Sequence, residues 1–458
     1  MSNFWGFEEK SSYEKLSEDI KTNVLVIGGG IAGILIAYKL QENGLDVMLV
    51  EKNVVGNGIT KNTTATLSLF QDKLYKDRIN DDGIKIAKGY FDATKNAISE
   101  YEKLALKFDF DYQKCSSYLY SENCYEELEL EYEALKKIGA KVSIIKDILL
   151  SIKNVGAIKI DDQGMFNPYK LINALKKNLK IYENTEIVKV NNKYALTKDN
   201  HKIVFEKAVI ATHYPINEFK GMYFFKMHQI RSQVAILDDN TGIKDIYLDI
   251  NKGGMYFRNY KDKLLVGGND YRVGECGNKY PFINKVNTLF KTINSDFFSN
   301  QDLITLDEMP YIGRLSYYDD KIYVATGFNG YGMSNAMISA CLLSDLFLER
   351  KNDFIKQFCP QRSYKFKPLM RQIKIAIVSY FKFGKKRCKH LGCALTYNRH
   401  DNTYECLCHG SRYESDGKFI DDPTKKNLNI WYFSLLRLIL FNNYQFCFTL
   451  FFNCVKIM

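Results

Sequence analysis

Two short segments near the end of the 458-residue chain carry cysteine and histidine at the spacing of metal ligands. Residues 388–393 read CKHLGC, and residues 406–411 read CLCHGS. Together they give C-x-H, fifteen intervening residues and C-x-x-H, with an additional cysteine in each box. Thiolate and imidazole ligands are shared by zinc sites and iron–sulfur centres, so the two boxes predict a metal centre.

A glycine-rich segment near the start of the chain has the pattern of a dinucleotide-binding turn. After an apolar run at 24–27, Gly28, Gly30 and Gly33 complete G-x-G-x-x-G, and Glu51 closes a second apolar run. These glycines permit a tight turn, a close approach of main-chain N–H groups to a pyrophosphate and close packing of helix on strand, while the acid can accept from a ribose hydroxyl. The alternative is a tight turn without a ligand, but the order strand, helix, strand and acid favours a dinucleotide site.

Two further loops could position the same ligand. Residues 56–65 are rich in glycine and hydroxyl side chains, which suit phosphate or flavin edges, although an ordinary surface loop has the same composition. Residues 322–326 predict a buried strand, and the glycine-rich loop at 327–334 opens a helix to about residue 348. This is a second strand, loop and helix N-terminus suited to an anionic or carbonyl-bearing ligand.

The intervening chain predicts the scaffold. Residues 82–146 have a mostly helical, amphipathic pattern. In residues 223–271, apolar and polar side chains alternate with the period of antiparallel strands. Residues 301–313 predict a loop that returns to the nucleotide domain.

Composition limits the classes of function. Hydrophobic content of 46% and charged content of 26% are typical of a globular protein. The formal charge of +11 is spread along the chain without an aromatic and basic groove, so we expect no nucleic-acid partner. Residues 1–21 lack the apolar stretch of a signal peptide, which predicts a cytoplasmic location. The scattered cysteines are expected to be reduced, namely Cys115, Cys124, Cys276, Cys341 and Cys359.

Residues 22–350 resemble the FAD-dependent oxidoreductases that include D-amino-acid oxidase, glycine oxidase and sarcosine oxidase. The resemblance depends on the fingerprint with Glu51, the strand end at 208–212 and the loop at 327–334. It implies noncovalent FAD, and two glycine loops at opposite ends of one split domain favour FAD over NAD. The positions assigned to FAD are Gly28, Gly30, Gly33, Glu51, Thr60, Thr63, Thr64, Val188, Thr212, Gly327, Gly330, Gly332, Met333 and Ser334.

The same resemblance implies that the inserted sheet holds the substrate above the flavin, where a C–N bond is oxidised by hydride transfer. The candidate catalytic residues are His228, Tyr256, Arg258 and Asp270. Each is also consistent with a structural role, although Arg258 could clamp a substrate carboxylate. The family carries a Lys and a His where this chain has Thr66 and Gln71, a departure that bears on the flavin-side chemistry.

The cysteine–histidine boxes resemble those of Rieske 2Fe–2S proteins. Carried onto this chain, Cys388 and Cys406 hold one iron, and His390 and His409 hold the other. In a Rieske cluster, neutral imidazoles replace two thiolates. The resemblance therefore implies a reduction potential of about −150 to +300 mV for the cluster, rather than the value of about −400 mV of plant-type ferredoxins.

Further positions match the respiratory Rieske subgroup. The resemblance implies a disulfide between Cys393 and Cys408 that joins the two loops, and it places Ser411 and Tyr413 where hydrogen bonds to sulfur raise the potential further. A basic run at 385–387 could dock an acidic partner, or it could be a solvated surface.

Two features depart from the Rieske pattern. Rieske domains place several base strands before the first box, whereas only residues 367–386 separate the flavin domain's tail from Cys388. The chain also continues into an apolar tail, which is long enough to span a bilayer. Arg437 near its middle would cost about 2.5–3.5 kcal/mol on insertion scales. A membrane anchor, replacement base strands and a segment without a role stay open.

The whole arrangement resembles a bacterial family of two-part flavin/Rieske oxidoreductases. The predicted fold is α/β, a Rossmann-like FAD-binding domain with an inserted antiparallel-sheet substrate domain at about 223–300, followed by a small all-β Rieske module. The predicted divisions are an N-terminal extension at 1–21, the FAD-dependent domain at 22–350, a linker at 351–383, the Rieske module at 384–429 and the apolar tail at 430–458.

The leading hypothesis is an enzyme in which a small donor, such as an amine or amino acid, reduces FAD by hydride transfer. Electrons would then pass singly through the cluster to an external acceptor, which can be a protein; the reverse flow stays open. One alternative is an electron-transfer protein between two protein partners, which predicts no reduction by an amine. Another is a plain flavin oxidase with a degenerate Rieske segment, which predicts flavin without acid-labile sulfide.

Overall fold

The computed structural model describes residues 4–7, 10–150, 152–291, 296–364, 366–382 and 385–428. The predicted apolar tail at 430–458 lies outside these residues. In the part of the chain that is described, no helix is long and apolar enough to cross a membrane.

Strands and helices are numbered in chain order. The strands are β1 Ile20–Ile27, β2 Val47–Val50, β3 Thr66–Leu67, β4 Gln113–Ser121, β5 Val142–Ile145, β6 Gly156–Met165, β7 Lys180–Tyr182, β8 Ile187–Val190, β9 Tyr194–Thr197, β10 Lys202–Ile210, β11 Met227–Asp238, β12 Ile246–Asp249, β13 Tyr256–Tyr260, β14 Lys263–Arg272, β15 Asp296–Thr305, β16 Tyr311–Arg314, β17 Ile322–Thr326, β18 Leu395–Asn398, β19 Thr403–Cys406, β20 Arg412–Glu414 and β21 Phe419–Asp421. The helices are α1 Ile31–Glu42, α2 Tyr75–Asp82, α3 Ile84–Ala105, α4 Tyr125–Lys137, α5 Pro168–Lys176, α6 Tyr223–Lys226, α7 Tyr280–Phe290, α8 Gly332–Phe347, α9 Ile355–Phe358 and α10 Phe366–Phe381. A short 3-10 helix covers Ile59–Asn62.

The nucleotide sheet has the strand order β16-β17-β10-β1-β2-β7, with the β8–β9 hairpin attached to β10. Strands β1, β2, β7, β10 and β17 run parallel, and β2 and β17 are buried along their whole length. Burial on both faces explains why these segments are continuous apolar runs rather than alternating ones. Helices α1 and α8 pack against each other over this sheet. The two glycine-rich loops that open these helices therefore lead into one helical layer.

The second sheet has the order β15-β11-β14-β13-β12-β4-β6-β3, with β5 paired to β6. The sheet extends beyond the predicted insert at about 223–300, because β3 to β6 come from the earlier chain and β15 ends at Thr305. The helical prediction for 82–146 fails at β4, whose strand is fixed by its pairing with β6 and β12. The predicted loop at 301–313 begins as the last part of β15, paired with β11.

The cluster module, residues 385–428, contains the four-stranded antiparallel sheet β18-β19-β20-β21. Residues 366–381 ahead of it form helix α10, so the short segment before the first box supplies no base strand.

The N-terminal extension packs onto the nucleotide domain. Trp5 and Phe7 are 3% exposed, and Trp5 Nε1 donates to the Thr63 carbonyl at 2.9 Å. The Glu183 carboxylate accepts from the main-chain N–H of Ser12 at 2.7 Å and of Val55 at 2.7 Å. These contacts tie the extension to the loop around Thr60.

Candidate functional site

The two cysteine–histidine boxes form matching turns. The Gly392 amide donates to the Cys388 carbonyl at 3.0 Å, and the Gly410 amide donates to the Cys406 carbonyl at 2.9 Å. Gly410 has φ +90°, and a Cβ there would lie 2.5 Å from Gln229 Cβ. Glycine is required because the turn needs the left-handed region and the second box approaches β11 closely.

The predicted histidine ligands face each other. The ring centroids of His390 and His409 are 4.9 Å apart, with an interplanar angle of 87°. His390 Nε2 is hydrogen-bonded to Glu218 Oε1 at 2.5 Å, and His409 Nε2 to the Phe224 carbonyl at 2.7 Å. Nδ1 of each ring is buried without a hydrogen-bond partner among the described residues. Metal-ligating histidines have one oriented nitrogen and one left for the metal, so both rings fit a cluster.

The ionisation of the second histidine fits the same role. Burial, with a further effect from His390, lowers the pKa of His409 to about 3. Its imidazole is therefore neutral at pH 7, which is the form that binds a metal.

The four box cysteines are buried close to one another. The sulfur atoms of Cys393, Cys406 and Cys408 all lie within 4.8 Å of one another, a group that does not include Cys388. The Cys406 thiol and burial raise the pKa of Cys388 well above its usual value. Metal binding would release these protons and leave thiolate ligands.

The disulfide that the resemblance implied is not formed in this structure. Cys393 and Cys408 are both free thiols. They are brought together by the facing box turns, so the pairing of the two positions is compatible with the geometry. The described cysteines expected to be reduced are also free.

The two residues predicted to tune the cluster lie beside the first cysteine. The Tyr413 hydroxyl is 3.4 Å from Cys388 Sγ and accepts from the Lys389 amide at 2.8 Å. The Ser411 side chain opposes the rise in the pKa of Cys388, and its Oγ accepts from the Thr424 amide at 3.2 Å. Hydrogen bonds to a ligating sulfur stabilise negative charge on it, which raises a cluster's potential.

The second sheet of the flavin-side domain, together with helix α10 of the predicted linker, supports the second box. Amide and guanidinium side chains of β11, β14, β15 and α10 donate to carbonyl groups of residues 407–410. The pairs are Gln229 Nε2 to His409 at 2.9 Å, Gln301 Nε2 to Gly410 at 2.9 Å, Gln372 Nε2 to Cys408 at 2.9 Å and Arg272 Nε to Leu407 at 3.0 Å. A buried ion pair between Arg231 and Asp401 joins the same surfaces.

The dinucleotide fingerprint has the geometry that its glycines predicted. A Cβ at Gly33 would lie 1.8 Å from the Gly28 carbonyl oxygen, and a Cβ at Gly28 would lie 2.5 Å from the Ala211 carbonyl oxygen. Gly30 is the N-cap of α1, and Thr60 Oγ1 accepts from the Ile31 amide at 3.1 Å. The cradle therefore has no room for larger residues and presents a helix N-terminus, as a pyrophosphate site requires.

Glu51 directly follows β2 and lies beside the glycine turn of the fingerprint. Its carboxylate accepts from the Gly29 amide at 2.7 Å and the Asn53 amide at 2.9 Å. Burial raises the pKa of Glu51. The side chain thus has the position and acceptor character that a ribose contact needs.

The other residues assigned to FAD lie in the loops around Thr60 and Gly327, within β8 and just after β10, and two of them are exposed. The Thr64 carbonyl accepts from Arg258, and Thr212 donates to the Tyr214 carbonyl at 2.8 Å. The loop over Gly327, Gly330, Gly332, Met333 and Ser334 follows β17 and opens α8, as predicted. Val188 and Gly330 are exposed, so they are less enclosed than the rest.

The candidate catalytic residues have separate roles. Burial lowers the pKa of His228 well below its ordinary value, and Tyr256 lies over Gly267 of the neighbouring strand. Arg258 is not available as a carboxylate clamp, because its guanidinium is buried and Nη1 donates to the Thr64 and Ala65 carbonyls at 2.8 and 2.9 Å. Asp270 alone has a buried oxygen, Oδ1, without a partner among the described residues.

The departures from the family pattern are accounted for by local packing. Thr66 lies in β3 opposite Met165. Gln71 is 5% exposed; its Nε2 donates to the Ser68 carbonyl at 3.1 Å, and its Oε1 accepts from the Tyr90 hydroxyl at 3.1 Å.

Several residues at the site were not identified from the sequence. Glu218, Gln229 and Gln301 contact the cluster boxes, and Asp72 and Asp302 lie near Asp270. A single polar residue in an apolar strand is a weak signal, since its partner comes from a distant part of the chain.

Comparison with known proteins agrees with both halves of the architecture. The model of the family described as FAD dependent oxidoreductase matches residues 23–346, and that of the Rieske [2Fe-2S] domain matches residues 372–432. A Bacillus subtilis (strain 168) protein described as a Rieske 2Fe-2S iron-sulfur protein, YhfW, is 29% identical over 91% of this chain and 94% of its own length. Cytochrome b6-f complex iron-sulfur subunit 1 of Nostoc sp. (strain PCC 7120 / SAG 25.82 / UTEX 2576) is 44% identical over 9% of this chain and 23% of its own.

Solved structures show the same fold in the flavin-side domain. Glycine oxidase from Geobacillus kaustophilus aligns with a TM-score of 0.62 at 16% identity, covering 75% of this chain and 100% of its own. L-proline dehydrogenase from P. horikoshii aligns with a TM-score of 0.63 at 22% identity, covering 75% and 98%. The chain therefore belongs to the FAD dependent oxidoreductase family, carries a Rieske [2Fe-2S] domain, and is an oxidoreductase that binds FAD and a 2Fe–2S cluster.

Proposed function

We propose that this protein oxidises a small electron donor at FAD and relays the electrons singly, through the Rieske cluster, to an external acceptor. The observation that carries the proposal is the docking of the second box on the flavin-side domain through the Gln229 and Gln301 amides. A Rieske module that exchanged electrons only with other proteins would not need to bury the loop that carries His409 against another part of its own chain.

The short path between the two sites supports the relay. Met227 and Gln229 lie on the same face of β11, about 7 Å apart along the strand. Met227 Sδ is 3.4 Å from the Cβ position of Gly327 in the loop assigned to the flavin, and Gln229 binds the His409 carbonyl. One strand thus joins both loops.

We propose that the ligands are those expected from the resemblance. Cys388 and Cys406 hold one iron through sulfur, and His390 and His409 hold the other through the free Nδ1 atoms. Glu218 and the Phe224 carbonyl orient the two rings by binding Nε2. The residues assigned to FAD above hold that cofactor.

The chain's own groups have positioning and insulating roles. FAD supplies two-electron chemistry and the 2Fe–2S cluster supplies one-electron chemistry when they are bound. The glutamine and arginine donors fix the second box, while His409 is buried and the His390 side chain is 6% exposed, which limits water at the contact between the domains. Tyr413 and Ser411 favour the reduced state by donating to sulfur.

An anaerobic preparation tests the proposal. We expect one FAD, two irons and two sulfides per chain, and a Rieske-type EPR signal after reduction. Photoreduction of the flavin alone should then produce that EPR signal in the same molecule, at a rate independent of protein concentration. A bound cluster that stays oxidised while the flavin is reduced would contradict the relay. Flavin without sulfide after reconstitution would instead support the degenerate-segment alternative.

A further inference from the structure

The positive charge of the protein is concentrated in one segment. Residues 354–400 contain twelve Lys and Arg and no Asp or Glu, so their net charge of +12 exceeds the +11 of the whole chain. The expectation of charge spread along the chain is therefore wrong, because the remainder is close to neutral. The basic segment covers helix α10 and the first cluster box.

Helix α10 is packed on one face and exposed on the other. Leu369, Gln372 and Ser379 are buried, and Gln372 Nε2 donates to the Cys408 carbonyl of the second box at 2.9 Å. With about 3.6 residues per turn, the three buried side chains lie within one third of the helix circumference. Most side chains on the opposite face are exposed.

The exposed face carries a row of large apolar side chains. Phe366 is 73% exposed, Ile377 and Phe381 are each 49% exposed, and Met370 is 38% exposed. Their spacing places all four on one face of the helix, where this apolar row extends for about 22 Å along the axis. Contiguous exposed apolar surface of this kind marks a site of contact with a protein or a membrane.

A basic row lies directly beside the apolar row. It consists of Lys367, Arg371 and Lys374, which are all exposed. In the described part of the chain, none of the three forms an ion pair with a carboxylate. Helix α10 itself contains no acidic residue. Apolar and basic rows side by side are typical of a helix that lies in the interface of an anionic membrane.

The predicted basic run ahead of the first box is divided between two roles. Arg387 donates from Nη1 to the Tyr380 carbonyl at 2.6 Å and from Nη2 to the Lys382 carbonyl at 2.8 Å. These bonds satisfy carbonyl groups at the end of α10. Lys385 and Lys389 are exposed, and they extend the basic surface from the helix to the first box.

Charge distinguishes among the partners that could cover this face. Residues 429–458 of the same chain contain Arg437 and Lys456 and no Asp or Glu, so they would not neutralise the basic row. The same face of a second copy would repel it for the same reason. Nucleic acid would neutralise the cations but would not match the aliphatic side chains of the apolar row. An anionic lipid surface supplies both phosphate groups and acyl chains.

We propose that α10 is an interfacial helix that docks this protein on an anionic lipid surface. The apolar row enters the boundary of the acyl chains, and the basic row contacts the lipid phosphates. Because its other face is packed, α10 suits a flat surface better than a protein groove that encloses a helix. Gln372 of the same helix holds the second box, so docking brings the cluster module to the membrane. The proposal does not depend on the electron donor or on the relay.

Sedimentation of the holoprotein with lipid vesicles tests the proposal. Two preparations are compared, phosphatidylcholine alone and phosphatidylcholine with about 30% phosphatidylglycerol. We expect the affinity for the anionic vesicles to be at least about tenfold higher than for the neutral ones, and to fall as the salt concentration rises. Equal affinity for both preparations, or binding to neither, would overturn the proposal.

Matched variants locate the contact on α10. Lys367→Gln combined with Lys374→Gln should weaken binding to the anionic vesicles by about thirtyfold, because each basic group near such a surface contributes about a fivefold gain. Phe366→Ser should weaken it by about tenfold, because an apolar contact is lost. The control is Lys85→Gln combined with Lys95→Gln, at two exposed lysines of α3, and it should keep nearly full affinity.

The other possible occupants give different results. Vesicle binding that is unchanged in both α10 variants would place the contact elsewhere in the chain and overturn the assignment. A change from dimer to monomer in Phe366→Ser, measured by analytical ultracentrifugation without lipid, would assign the face to a second copy instead. Binding to duplex DNA but not to vesicles would assign it to nucleic acid. Flavin and iron contents equal to those of the unaltered protein show that the variants are folded.

Discussion

Each histidine of the cluster boxes has one nitrogen held by the protein and the other free. The held nitrogens bind Glu218 and the Phe224 carbonyl of helix α6, and Nδ1 of each ring is buried without a hydrogen-bond partner in the described chain. Because the imidazoles are oriented by the flavin-side domain, the cluster ligands are set by two parts of the chain rather than by one.

Replacing one thiol that we propose as an iron ligand should abolish the cluster without removing the flavin. We expect Cys406→Ser to lose the two irons and two sulfides while FAD stays bound, because its contacts lie in the other sheet. Iron, sulfide and flavin assays with EPR measure the result. Cys124→Ser, at a half-buried thiol before α4, is the control and should keep full iron. Full cluster content in Cys406→Ser would refute the ligand assignment.

At the scale of elements, β11 and α1 determine where the two cofactor sites lie. The β1–α1 turn holds the fingerprint because α1 approaches the turn so closely that only glycine fits at Gly33. β11 pairs with β14 and β15 and presents Gln229 to the cluster module. The second sheet therefore holds the second box of the cluster module through Gln229 and Gln301.

An alanine at Gly33 should separate α1 from the sheet. Its Cβ would lie 1.8 Å from the Gly28 carbonyl oxygen, so we expect destabilisation of at least about 1–3 kcal/mol and loss of FAD. Gly89→Ala is the matched helix control, because a Cβ there meets only the movable Gln357 side chain. Flavin content and chemical unfolding provide the measurement, and normal flavin content in Gly33→Ala would refute the packing argument.

For the whole molecule, the principal feature is that the cluster module uses the flavin-side domain as its base. Arg231 and Asp401 form an ion pair with side chains 7% and 9% exposed, and Lys279 contacts the same carboxylate at 3.1 Å. Arg272 and Gln372 bind carbonyls of the second box from β14 and α10. The module and the domain therefore stabilise each other across a polar interface.

Breaking that ion pair should loosen the docking. We expect Arg231→Met to cost about 3–5 kcal/mol, because it leaves a buried carboxylate with less compensation. Hydrogen exchange over residues 385–428 should rise by roughly two orders of magnitude or more. Lys263→Met, which removes an exposed pair with Asp238, should cost less than about 1 kcal/mol. Equal exchange in both variants would show that the pair does not hold the module.

The sequence by itself determined the families, the cofactors and the local geometry around the glycines and box cysteines. These features depend on residues that are close together in the sequence. Only glycine fits at Gly28 and Gly33, and the candidate metal ligands lie within the two box turns. The tertiary structure decided what distant segments do to one another. It made β4 a strand by pairing it with β6, turned Arg258 from a candidate substrate clamp into a main-chain support, and placed Glu218 and Gln229 against the cluster boxes. Pairing partners arise from contacts far apart in sequence, and no local pattern records them.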